Sequence, residues 1–267
     1  MNTSKIKPEI IFVMILGMLA IFAPVIIKTK SISALVAPHA LLIVLGGTLC
    51  AGCIAFSTKE IIKAFCSLKS LFIAKNNHEL LYIADELVEM AKISRAKGIL
   101  ALREYSEYIR NPFLYNALKT ALEETDIKAL EENLRMMSFY ENKNNFKNVE
   151  IFEELGGYAP TFGMLGAIIG LIQISTVNTN PQALLSGIAT AFIATIYGVG
   201  VANLVFLPIA KKLKNNLNEK LFEQEIIISG IIDIANMQSS IVIGEKLDRI
   251  LRENEISRKG KVIPFAA

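Results

Sequence analysis

The stretch from Tyr158 to Leu207 constrains this chain most. It consists of two apolar runs joined by a short polar break, with no Asp, Glu, Lys, Arg or His anywhere in it. Each run approaches or exceeds the about 20 residues that a helix needs to cross about 30 Å of hydrocarbon, so the spacing predicts two adjacent membrane-spanning helices. Small residues and hydroxyls recur along them at helical spacing. The first run carries Gly163, Gly166, Ala167 and Gly170, and the second carries Ser186, Gly187, Thr190, Ala194, Thr195, Gly198 and Ala202. In lipid no hydrophobic force drives helices together, and small faces of this kind allow close backbone approach. Both helices are therefore expected to pack against a neighbour.

The remaining sequence supplies the charge. With 52 % hydrophobic residues and a mean hydropathy of +0.44, the 267-residue chain is too apolar for an ordinary soluble domain, yet it holds 28 Lys and Arg and 25 Asp and Glu. These charges are segregated from the apolar runs. The net charge of +3 reports topology and gives no sign of nucleic-acid binding. The run Ile10–Ile27 predicts a first span, because Lys28-Thr-Lys stands where a signal peptide would place small residues. A second span is expected from about Ala34 to Phe56, with Gly46-Gly47-Thr48 inside it and His39 near its end. Cys50 and Cys53 fall among Gly46, Gly47, Ala51 and Gly52, and so read as small packing residues.

Residues 58–150 show helical periodicity, with Leu80, Ile83, Leu87 and Ala91 on one face. Turn signals at Asn76-Asn77, Lys97-Gly98 and Asn111-Pro112 divide the region into short helices. Beyond residue 210 the spacing of Leu213, Leu217, Leu221, Ile226, Ile231 and Ile234 predicts a long amphipathic helix continuing from the fourth span, with a short tail from about Ser257. The expected class is an all-α polytopic membrane protein with four spans. Its parts are residues 1–57 (two spans), 58–150 (a helical insertion), 151–210 (two core spans) and 211–267 (a C-terminal helix and tail). The insertion and the tail together hold 24 of the 28 basic residues, whereas the link Asn178–Pro181 is uncharged, so both termini are expected to be cytoplasmic.

Enzyme motifs do not emerge. His39 and His78 suggest no metal cluster, and neither G-x-S-x-G nor a P-loop occurs, so no catalytic residue and no cofactor are expected. Proton-moving proteins use Asp, Glu or His within the bilayer. If this chain moves ions, a partner helix must supply the titrating group. Thr161, Thr190 and Thr195 then either line the path or bond back to their own helix carbonyls. Pro160, just inside the third span, and Pro208, at the inner end of the fourth, each remove a backbone donor. They either shape a moving element or simply start and kink helices.

The residues Gly156-Gly-Tyr-Ala-Pro160-Thr-Phe-Gly163-Met-Leu-Gly166-Ala-Ile-Ile-Gly170, then Thr195-Ile-Tyr197-Gly198 and Asn203-Leu-Val-Phe-Leu-Pro208, resemble the MotA/PomA family of flagellar stator subunits. Gly46-Gly47-Thr48 and the stretch from Arg95 to Glu104 resemble it as well. The resemblance implies a homo-oligomer, with five copies in the membrane lipid surrounding two copies of a MotB-like single-span partner that carries the ion-binding Asp. It implies torque on the rotor protein FliG through cytoplasmic charges. Pro160 and Pro208 match the family's two functional prolines, and Arg95, with Lys97 nearby, matches its rotor-facing Arg. The family's acidic rotor-facing position falls on Arg103, with Glu104 adjacent. Sodium-driven members resemble one another in Thr positions that here read Ala167 and Ala194-Thr195, which favours protons. ExbB and TolQ proteins share only the core pair, and an envelope energiser of that kind, or a pore-less scaffold, is the alternative.

Overall fold

The computed structural model describes residues 37–71, 79–176 and 181–258. Every regular element among them is helical. We label these α1 (Pro38–Ala55), α2 (Thr58–Leu71), α3 (Glu79–Lys97), α4 (Leu102–Tyr105), α5 (Pro112–Glu123), α6 (Ile127–Thr176), α7 (Pro181–Val201), α8 (Leu207–Ala235) and α9 (Ser240–Arg258). Three helices among the described residues are long and apolar enough to cross a membrane: α1, α6, and the continuous run of α7 and α8. The expected first span, Ile10–Ile27, lies outside the described residues, as does the Asn76-Asn77 turn signal.

The chain divides into two compact units, one from Met1–Ala74 and Asn144–Leu217, the other from Lys75–Lys143 and Asn218–Ala267. In the first, glycines set the packing distance. A Cβ built on Gly198 would stand 2.6 Å from the Ala159 carbonyl oxygen and 2.9 Å from Gly163 Cα. Only glycine lets α6 and α7 approach this closely. Ala191 faces Gly170 in the same seam, and Phe162 packs over Gly47 of α1. The Tyr197 hydroxyl accepts the Ala37 N–H at 3.3 Å, tying the start of α1 to α7.

Helix α2 begins with a reciprocal capping box. The Ser57 hydroxyl accepts the Glu60 N–H at 3.3 Å, while the Glu60 carboxylate accepts the Ser57 N–H and O–H, each at 2.9 Å. Those bonds, the backbone one first, hold the Glu60 carboxyl below its ordinary value. Nearby, the Lys147 ammonium sits 4.7 Å from the centre of the Phe56 ring.

The second unit is an all-helical core built from Ile83, Leu87 and Met90 of α3, Leu114 and Leu118 of α5, Leu130 and Leu134 of α6, Ile226, Ile227 and Ile231 of α8, and Ile243 and Leu247 of α9. Two expected turns appear at their expected places. Helix α3 stops at Lys97 because Gly98 turns with φ of 83°, a region that disfavours side chains. Asn111 caps α5, its side chain accepting the Phe113 and Leu114 N–H groups, and Pro112 occupies the first turn, where no donor is needed.

Two boundaries differ from expectation. Helix α6 runs for 50 residues, unbroken by the change from polar to apolar composition near residue 150. The C-terminal region folds as two helices: α8 ends at Ala235, Met237 takes φ of 56°, and the Gln238 N–H closes on the Asp233 carbonyl before α9 starts. Lys246 of α9 then pairs with the buried Asp233 at 2.6 Å.

Candidate functional site

The residues singled out in the membrane-capable helices fall into two groups, one around α6 and α7 and one at the turn into α8. Pro160 lies deep inside α6, so it does not start a helix. It withholds the N–H that the Gly156 carbonyl would otherwise accept, in a helix that continues on both sides. One residue on, the exposed Thr161 bonds back to the Tyr158 carbonyl at 2.6 Å. Thr195 reaches the Ala191 carbonyl only at 3.5 Å, the limit of a hydrogen bond. Both threonines therefore have an acceptor on their own helix, and Thr195's is loose. Thr190 and Ala167 are half-buried. Ala194 is 1 % exposed and sits against Gly163 and Gly166, so it lies in the seam between α6 and α7.

Pro208 is exposed and occupies the second position of α8, immediately after a π-helical turn at Ala202–Phe206. The two features have one cause. A proline cannot donate to the carbonyl four residues back and its ring crowds that carbonyl, and a wider i→i+5 turn relieves the crowding. The Asn203 amide donates to the Val199 carbonyl at 2.9 Å within the same turn. A second π turn, Leu42–Gly46, interrupts α1, and there the Thr48 hydroxyl bonds the Val44 carbonyl at 2.6 Å. Sequence reasoning found the proline and the glycine pair but not the π turns, for which Pro208 and Gly46-Gly47 were the available signals.

In the second unit Arg95 and Lys97 are exposed in the last turn of α3, where basic side chains complement the helix dipole. Arg103 and Glu104 are exposed on α4. None of the four has an ion-pair partner among the described residues. Lys97 and Glu104 meet at an open pocket of about 380 Å³, together with Ile93, Ala101, Tyr105, Glu107 and Tyr108. Arg95 and Arg103 are not part of that lining. Glu107 and Tyr108 were not anticipated, since they lie on a 3-10 turn, Ser106–Tyr108, that no spacing rule links to the end of α3.

Residues 106–225 match the model of the MotA/TolQ/ExbB proton channel family. The chain is similar to motility protein A of Bacillus subtilis, with 33 % identity over 87 % of this chain and 86 % of the relative. The chain belongs to the MotA/PomA family of flagellar motor stator subunits. Motility protein A of Aquifex aeolicus is 30 % identical over 87 % of this chain and 93 % of the relative. The MotA/PomA likeness extends to three dimensions. The C. jejuni MotAB structure superposes with a TM-score of 0.78 at 28 % identity, covering 91 % of this chain and 95 % of that one. The flagellar MotAB stator complex from Bacillus subtilis superposes with a TM-score of 0.71 at 31 % identity, covering 85 % and 92 %. This is thus a multi-pass membrane protein of a family of stator and proton-channel subunits, and it has the all-helical fold of solved MotAB structures.

Proposed function

We propose that this chain is the ring-forming subunit of a proton-driven flagellar stator. Five copies surround two copies of a MotB-like single-span partner, whose membrane Asp carries the proton, and proton flow turns the ring. The observation that carries this reading is the uncharged pair of apolar runs between Tyr158 and Leu207, in a chain similar to proteins solved as MotAB complexes. Without a carboxylate of its own there, the pair needs a titrating group from another helix. Four spans, the first at Ile10–Ile27, leave both termini and residues 58–150 and 211–267 in the cytoplasm.

Pro160 and Pro208 serve as the points at which α6 and the α7–α8 run bend as the ring advances. Thr161, Thr190 and Thr195 border the ion path, and Ala167 and Ala194 keep the helix seam narrow. Protons suit this arrangement because a dehydrated sodium ion needs several oxygen ligands, and Ala167 and Ala194 offer methyl groups. Arg95, Lys97, Arg103 and Glu104 contact FliG, with Glu104 supplying the acidic partner that Arg103 does not. Deleting the gene tests the reading. Assembled but paralysed flagella are expected, and normal swimming would refute it.

A further inference from the structure

Helix α3 buries a carboxyl together with its apolar face. Glu86 is 5 % exposed, and its Oε2 has no hydrogen-bond partner among the described residues. An isolated carboxylate in such a place is costly unless it takes up a proton or gains a partner. The segment that follows, Ile99–Tyr105, packs against α3, and the groups that interact with Glu86 electrostatically come from it and its continuation: the half-buried Tyr105 and the exposed Arg110. On α3 itself, Glu89 and Tyr82 share the surroundings of Tyr105. From α9, which packs along α3, Lys246 is held by Asp233. Arg110 forms no ion pair with Glu86 among the described residues, so its charge acts from a distance.

Burial is the largest influence, and it pushes the Glu86 carboxyl up from its ordinary 4.5, with Arg110 opposing. The Tyr105 hydroxyl is raised too, first by burial and then by Glu86. A raised acid is stabilised by folding in its neutral form. Its contribution is complete below the ordinary value and is lost as pH climbs through the value in the folded protein.

We infer that Glu86 is a positioning residue: neutral, its buried carboxyl lets residues 99–110 dock on α3, and ionised, it loosens them, so that the placement of Arg103 and Glu104 follows cytoplasmic pH. The consequence for torque rests on the proposal that these charges face the rotor, whereas the loosening itself does not. Between the ordinary value of 4.5 and the raised value in the docked segment, each pH unit lowers the ratio of docked to loosened segment by up to about tenfold.

Hydrogen–deuterium exchange on the purified stator complex, co-expressed with its partner protein, reads this directly. Protection of residues 99–110 is measured from about pH 5 to about pH 8, after correction for intrinsic exchange. Protection falls with rising pH in the wild type. In Glu86→Gln, which keeps the shape of the neutral acid, it stays flat and high. Arg110→Gln, a surface change, removes the charge that favours ionisation in the docked segment, so the loss of protection continues to higher pH and ends deeper. A flat wild-type profile, wild-type slope in Glu86→Gln, or a loss in Arg110→Gln no deeper than in the wild type overturns the inference. If Glu86→Gln does not assemble, the wild-type and Arg110→Gln profiles decide alone. Failure here leaves the stator reading standing, and swimming without the chain would sink that reading but not the exchange result.

Discussion

Gly198 and Gly163 meet across the α6–α7 seam with no room for a methyl group: a Cβ on Gly198 would lie 2.9 Å from Gly163 Cα and 2.6 Å from the Ala159 carbonyl oxygen. Both obstacles are backbone, so neither can rotate away. Gly198→Ala must separate the helices, at a cost of about 1–3 kcal/mol. The expected outcome is a lower melting temperature of the purified complex and reduced membrane abundance. Gly200→Ala is the control, because a Cβ there meets nothing within 4 Å. Equal behaviour of the two variants would show that the seam is not set by glycine.

The prolines separate a mechanical role from an architectural one. Pro160 interrupts the ladder inside a helix that continues past it, and Pro208 follows a π turn. Pro160→Leu and Pro208→Leu restore a donor at each place and are expected to abolish rotation while insertion and association with the partner persist. Co-purification with the partner, measured beside swimming, checks this. Loss of assembly in proportion to loss of swimming would make the prolines architectural.

Arg95 is exposed and has no ion-pair partner among the described residues, so reversing its charge breaks no ion pair seen in the fold. Rim charges govern recognition and are screened by salt. Arg95→Glu is expected to slow swimming at unchanged membrane abundance, and a charge reversal on the rotor should restore speed. If no reversal on the rotor rescues it, Arg95 does not contact the rotor.

Within the second unit, Gln224 accepts from the Ser138 hydroxyl at 2.7 Å and from the Asn142 amide at 2.6 Å, and all three side chains are buried. Gln224→Leu removes the shared acceptor and is expected to cost about 1–3 kcal/mol, the penalty for stranding a buried donor. The triple change Ser138→Ala, Asn142→Leu, Gln224→Leu removes donors and acceptor together and should recover most of that loss in thermal melts. A triple variant less stable than Gln224→Leu would count against a shared network.

Much of this was readable from residue order, and the exceptions have physical causes. The glycines of 163–170 and Gly198 announced a close helix pair because small residues permit close approach in lipid, and Gly163 does face Gly198 while Gly166 and Gly170 face Ala194 and Ala191. Lys97-Gly98 and Asn111-Pro112 marked real helix ends because each dictates its own backbone geometry. The unbroken α6 was hidden, since composition changes sharply near residue 150 while the hydrogen-bond ladder continues regardless. The turn at Met237 was hidden as well, because a methionine with φ of 56° is held there by its surroundings and not by its own preference. Glu86 gave no signal among other glutamates. Its burial arises from α3 packing in three dimensions. Thr161 and Thr195 bond back to their own helices, a bond that sequence alone left open and that is compatible with a place beside the ion path.

The central claim is that proton flow past this chain turns a rotor. Its most direct measurement is the rotation speed of a single flagellar motor in cells where this chain is the only ring-forming stator subunit. External sodium is varied at fixed pH, and a protonophore is then added. The account predicts a speed indifferent to sodium that falls to zero when the proton gradient collapses. A speed that rises and saturates with sodium, or rotation that survives the protonophore, would contradict it.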